Sequence, residues 1–230
     1  MTDWSTVASL ATAGGTLILA VATFGATRSA NRSARIAERA FEARLRPLLV
    51  PSRLEDPPEK IMWGDQHWTR LPGGRASVEI GDGVVYLTMS LRNVGSGMAV
   101  IHAWRALPNF GLDFDQQPEL LQHPELQRPP DLGEFRPQGR DLYVPPGDVG
   151  FWQSAIRDRG DPRWEPLART IEAREQIGLE LLYGDHEGGQ PTITRFVFYH
   201  EPDEEHPNTE PWRVDVVRHW RPQDGDVHVL

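Results

Sequence analysis

Residues 4–27 form an unbroken run without a formal charge. Eight larger apolar residues, Trp4, Val7, Leu10, Leu17, Ile18, Leu19, Val21 and Phe24, lie among six Ala, five Thr, three Gly and two Ser. As a helix the run would measure about 36 Å, against a hydrocarbon core of about 30 Å. Thr and Ser hydroxyls can bond back to the carbonyl one turn earlier, which makes them tolerable in lipid. The pattern therefore predicts a transmembrane helix over 1–27. A cleaved signal peptide would need a positive stretch ahead of the run, where the charged side chain is Asp3, although an Ala-x-Ala pattern occurs at 20–22. A buried helix of a globular domain is the third reading, and 24 charge-free residues are long for it.

The helical pattern continues through 28–46 and should stop at Pro47. At helical spacing, Arg28, Arg32, Arg35, Arg39 and Arg46 fall within an arc of roughly 60°. Ala30, Ala34, Ala37, Phe41 and Leu45 cluster opposite. This reads as a basic juxtamembrane helix whose Arg28, Arg32, Arg35 and Arg39 face membrane lipid, worth about 1 kcal/mol per Arg close to an anionic surface. The plainer reading is the solvated face of a linker helix. No Lys or Arg precedes the apolar run. The positive-inside rule thus predicts a single-pass protein of the cell membrane, N-terminus outside and the remainder cytoplasmic. Ser9-x-x-x-Ala13 and Ala11-x-x-x-Gly15 place small residues one turn apart, so a weak parallel homodimer is expected through the helix.

From 47 to 230 the pattern turns short and β-like. Strands are expected at 48–50, 84–91, 98–107, 142–144, 149–156, 177–183, 192–199 and 212–220, from β-branched and aromatic runs bounded by Pro and Gly. One helix is expected over 163–175, started by Asp161-Pro162. The stretch 108–140 has six prolines and no strand pattern, so it reads as a Pro-rich insertion, either a functional loop or a mobile one. Seven or eight strands without βαβ alternation predict a mainly β fold, an immunoglobulin-like β-sandwich.

Charge divides the chain the same way. Residues 1–46 carry six Arg and three acids; residues 47–230 carry 18 basic and 30 acidic residues, a net of −12. An acidic domain is a poor partner for nucleic acid. Cysteine is absent, which excludes disulfides, thiolate metal sites and cysteine nucleophiles. Three acid- and histidine-rich runs, 200–206, 185–187 and 113–115, lack the spacing of a metal site, and no Walker, dinucleotide or nucleophile-elbow motif occurs. No catalytic residue, metal or cofactor is therefore expected. Trp63, His67 and Trp68 form an aromatic group in a Pro/Gly-flanked stretch, able to contact a protein partner or a sugar, or simply to cap the fold.

The run Leu91-Arg92-Asn93-Val94-Gly95-Ser96-Gly97-Met98-Ala99 reads as a structural turn at Asn93, Gly95 and Gly97, with glycines free to take positive φ. It resembles the Asn-x-Gly turn of bacterial immunoglobulin-like sandwiches. With residues 29–40 and 46–58, the layout resembles uncharacterised actinobacterial single-span membrane proteins carrying such a sandwich. The resemblance implies an architecture and no catalytic residues. The function expected is that of a membrane-anchored, cytoplasm-facing protein-interaction or sensory module. The alternative is a membrane-tethered hydrolase or a carbohydrate-binding domain.

Overall fold

The computed structural model describes residues 4–111, 128–187, 189–201 and 212–222. The chain divides into two compact units, Met1–Arg44 and Leu45–Leu230.

The first unit is a single helix, α1 (Trp4–Arg44). It is rich in Ala, the best helix former, and has no internal Pro. Four of its threonines act as expected: Thr12, Thr16, Thr23 and Thr27 donate to the carbonyls of Ala8, Thr12, Leu19 and Thr23 at 2.7–2.9 Å. Leu17, Leu19, Val21, Phe24, Ile36 and Phe41 are exposed. The transmembrane helix expected over 1–27 is not found among the described residues, where no helix is long and apolar enough to cross a membrane. Ala, Thr and Gly dilute the apolar side chains, arginines follow from 28 onward, and the side chains of Val7, Leu10 and Ile18 lie outside the described set.

The second unit is mainly β. Its strands are β1 (Leu49–Pro51), β2 (Glu59–Met62), β3 (Trp68–Leu71), β4 (Arg75–Gly81), β5 (Val84–Asn93), β6 (Ala99–Leu107), β7 (Arg136–Val144), β8 (Val149–Ile156), β9 (Ile177–Gly184), β10 (Thr192–His200) and β11 (Trp212–Trp220). Helix α2 (Trp164–Glu172) lies between β8 and β9. Nine strands join in one antiparallel sheet in the order β1-β5-β4-β11-β10-β9-β6-β7, with β8 on the other side of β5. The β2–β3 hairpin is separate.

This differs from the two distinct sheets of the expected sandwich. The strands β4 and β11 pair at Ala76–Trp212 and Arg75–Arg213, which fuses the halves into one curled sheet resembling half a barrel. The curl brings β7 back toward β8 without backbone pairing. Their link is made by side chains: the Trp152 indole donates to Gln138 Oε1 at 3.1 Å, and Gln138 Nε2 donates to the Gln153 carbonyl at 3.1 Å.

The concave side holds the main core, including Leu87, Met89, Trp104, Trp152, Leu179, Phe196, Phe198 and Trp212. Two covers lie on the outer side. Over β6, β9, β10 and β11, Phe135 and the short turn Leu132–Glu134 pack on Ala103, Leu182, Ile193 and Trp220. Over β4, β5 and β8, the β2–β3 hairpin packs Ile61, Trp63 and Leu71 against Tyr86. Because both faces are covered, β5 and β9 are buried almost throughout. A bulge in β11 opposite Arg195 and Phe196 flips the strand's alternation, so Trp212 and Val214 face the main core while Trp220 faces the cover.

The Asn93 turn is where the chain enters the β domain. Asn93 is fully buried; its Nδ2 donates to the carbonyls of Gly97 (2.6 Å) and Val144 (2.9 Å), and its Oδ1 accepts from the backbone N–H of Leu48 and Gly95. Gly95 and Gly97 are required for a reason other than the expected positive φ. A Cβ on Gly95 would strike the Arg46 carbonyl, and one on Gly97 the Leu45 carbonyl. Among the described residues the positive-φ glycines are Gly74, Gly83, Gly111 and Gly147.

Candidate functional site

The aromatic group predicted at Trp63, His67 and Trp68 separates into two parts. Between β2 and β3 a tight turn, closed by Trp63 N–H to the His67 carbonyl at 3.0 Å, folds the His67 ring back onto the sheet. Gln66 takes φ 66° to make that reversal. The His67 ring stacks on Tyr86 of β5 at 4.0 Å with 12° between planes. Trp63 meets both rings at 5.1–5.3 Å and donates its indole N–H to the Ser154 carbonyl. Trp63 is only 4% exposed, so its faces serve packing. Trp68 points away at 57% exposure, opposite Met62, which is also exposed. Of the three rings, Trp68 is the one open to a partner.

Polar side chains hold this cluster in place. His67 Nε2 lies 2.8 Å from Glu79 Oε2, and Glu79 Oε1 accepts from the hydroxyls of Ser77 and Thr69 at 3.2–3.3 Å. The Tyr86 hydroxyl donates to Asp65 Oδ2 at 2.8 Å, and Arg157 pairs with the same oxygen at 3.1 Å. Burial pushes the Asp65 carboxyl up, but the Tyr86 hydroxyl, the His67 N–H and Arg157 outweigh it, leaving Asp65 below the usual carboxylate range. Burial and the neighbouring Asp65 both push the Tyr86 phenol up.

Beside the cluster, the gap between β7 and β8 opens as a cleft of about 570 Å³. Trp63, Asp65, Gln153, Ser154 and Arg157 form one wall; Arg136, Gln138 and Arg140 form the other, with Trp104 between them. The β7 wall is irregular. Four residues, 138–141, oppose the single His102 of β6, a bulge that carries them out of the ladder. Arg136 sits 5.9 Å from the Trp104 ring and pairs with Asp161. Gln153 is 6% exposed, and its Nε2 donates to the Met62 carbonyl at 3.4 Å, which orients the amide. Its Oε1 is buried and has no hydrogen-bond partner among the described residues. Asp65 is the carboxylate lining the cleft.

Sequence reasoning did not single out Arg136, Arg140, Arg157, Gln153 or Trp104 as a group. A usable signal was present: Arg136-x-x-x-Arg140 lies inside a strongly acidic domain.

The remaining sequence candidates fall elsewhere. Arg28, Arg32 and Arg35 are exposed on α1; Arg39 lies on the same helix, its side chain outside the described residues. Of the 200–206 run, His200 and Glu201 are described and 202–206 lie outside, as do 113–115. Asp185 closes its own hairpin loop by accepting from the N–H of Glu187 and Gly189. Among the described residues no group of three or more His, Asp or Glu is arranged to hold a metal ion. Comparison with protein-family models, with characterised proteins and with solved structures found no match to this chain.

Proposed function

We propose that this chain is a protein-interaction module held at a membrane. The observation that carries the reading is the chemistry of the cleft: three arginines converge there, Arg136 and Arg157 paired with Asp161 and Asp65, and Arg140 exposed. Such a lining suits recognition, since arginine is among the residues that dominate protein-binding hot spots. Hydrolysis by paired acids needs a second carboxylate about 5–10 Å away across the cleft. Asp65 faces Tyr86 and Arg157 instead. A sugar platform needs an open aromatic face, and Trp63 is buried.

Membrane association rests on α1. Its charge-free stretch, its back-bonded threonine hydroxyls and its exposed apolar side chains suit a lipid environment. The arginines at 28, 32, 35 and 39 follow the apolar run and add electrostatic attraction to an anionic lipid surface. Flotation of the full chain with phosphatidylglycerol and phosphatidylcholine vesicles tests the tether. Binding to both, stronger to the anionic vesicles and weakened there by Gln at the four arginine positions, is expected. A chain that stays at the bottom of the gradient with both vesicle types refutes it.

A further inference from the structure

The interaction reading can be deepened to the kind of partner. We propose that the cleft between β7 and β8 binds an extended, carboxylate-rich peptide segment of a protein partner, a proposal that rests on the β domain being a protein-interaction module.

The sheet is open at this place. Among the described residues β7 pairs with β6 alone and β8 with β5 alone. Open strand edges are the surfaces on which extended peptides are recognised, through main-chain hydrogen bonds and pockets for alternate side chains. The β7 bulge at 138–141 widens the gap to about 570 Å³, within the range of ligand sites. At Gly139 even an added Cβ would meet nothing within 4 Å.

Charge selects the occupant. Arg136, Arg140 and Arg157 line the opening, the first paired with Asp161 and the last with Asp65, in a domain whose overall net charge is −12. Arg140 is exposed, and its guanidinium has no ion pair among the described residues. Guanidinium groups bind carboxylates in bidentate geometry, and electrostatic complementarity raises both on-rate and selectivity.

The second sign of a ligand is Gln153. A buried acceptor without a partner costs about 1–3 kcal/mol. Its amide cannot simply turn over, because that would set Oε1 against the Met62 carbonyl that now accepts from Nε2. The oxygen is closed to solvent, so a donor reaches it only when the side chains around it give way, and a peptide N–H is such a donor.

The test uses the full chain in detergent micelles on an array of random twelve-residue peptides. Enrichment of Asp and Glu at alternating positions is expected. The charge reversal Arg140→Glu, at an exposed site that leaves the melting temperature unchanged, should abolish that enrichment or turn it toward Lys and Arg. Gln153→Leu should weaken the selected peptides at least threefold. Selection of peptides that is indifferent to Arg140→Glu overturns the cleft but leaves the interaction module standing. No peptide selection at all, or displacement of every selected peptide by millimolar inorganic phosphate, overturns the inference; the first of these outcomes overturns the module reading with it.

Discussion

The two outer covers of the curled sheet solve the same problem in opposite ways. Over β6, β9, β10 and β11, the cover buries charge and pairs it. Glu180 is fully buried and receives Arg195 Nε at 2.6 Å and Arg105 Nη1 at 3.3 Å, while Arg105 also pairs with Glu134. Arg195 in turn lies over Trp220 at 4.6 Å and Phe110 at 5.7 Å. Burial still pushes the Glu180 carboxyl up, against the pull of both arginines, because an ion loses more solvation here than any single contact restores. Over β4, β5 and β8, the hairpin cover is aromatic, and its margin is left open, with Gln153 Oε1 unpaired. A closed network fixes one arrangement of the fold. An incomplete one next to a cleft carries a cost that a ligand can remove.

The largest test of this contrast is on the paired side. Glu180→Leu strips the carboxylate from two arginines and should cost about 3–5 kcal/mol, read as a fall in melting temperature of roughly 6–20 °C. A fall smaller than that of an exposed control such as Glu172→Leu would show that the network is not structural.

Next in size is the chain-entry clamp. Gly97→Ala drives a methyl into the Leu45 carbonyl and should destabilise by about 1–3 kcal/mol through backbone displacement. Gly139→Ala, in open space, serves as the control and should leave the denaturant midpoint unchanged.

How far the sequence led is clearest in which strands it revealed. The long helix, β5, β6, β8, β9, β10 and β11 announce themselves because they are long and apolar or alternate cleanly. The strands β2 and β3 do not: four residues each, reading Glu-Lys-Ile-Met and Trp-Thr-Arg-Leu, they bury one side chain apiece. The strand β4 begins Arg-Ala-Ser, and only Ala76, Val78 and Ile80 reach the main core. In β7, Pro137, Gly139 and three charged residues suit an edge strand with a bulge, and their composition reads as loop. The cleft lies between the legible β8 and the poorly legible β7. Trp63 in its wall was visible, but Arg136 and Arg140 sit in β7 and Arg157 just past β8, so they form a group only where the two strands meet.

On the open side the expected change is small. Gln153→Leu removes an unpaired acceptor but also the Nε2 bond to the Met62 carbonyl, so stability should change by less than about 1 kcal/mol. A loss above about 2 kcal/mol would mean that the amide is paired at both ends.

Acid should act on ion pairs that anchor the margins of both covers. Hydrogen bonding from Arg92 holds Asp56 below the usual carboxylate range, and that from Arg163 does the same for Asp161. A lowered folded pKa stabilises above the unfolded value near 3.8 and is lost as pH falls through the folded one. The urea midpoint should therefore drop below about pH 4. In the double variant Asp56→Asn and Asp161→Asn that drop should be shallower.

The smallest stability effect, and the sharpest for self-association, concerns α1. An added Cβ at Gly15 meets open space, so Leu fits there. Leu at Ala11 and Gly15 should reduce cross-linking of a helix-paired dimer in vesicles without changing vesicle binding. Unchanged cross-linking removes the dimer.

The central claim is that the sheet is open between β7 and β8 while strands such as β10 are paired on both sides. Hydrogen exchange across the full chain in micelles reads this directly. The account predicts that amides of 138–141 exchange within seconds, whereas those of 193–198 in β10, paired on both sides, persist for hours or longer. Equal protection of the two segments would mean that backbone pairing closes the seam, and no open edge would remain for a peptide to occupy.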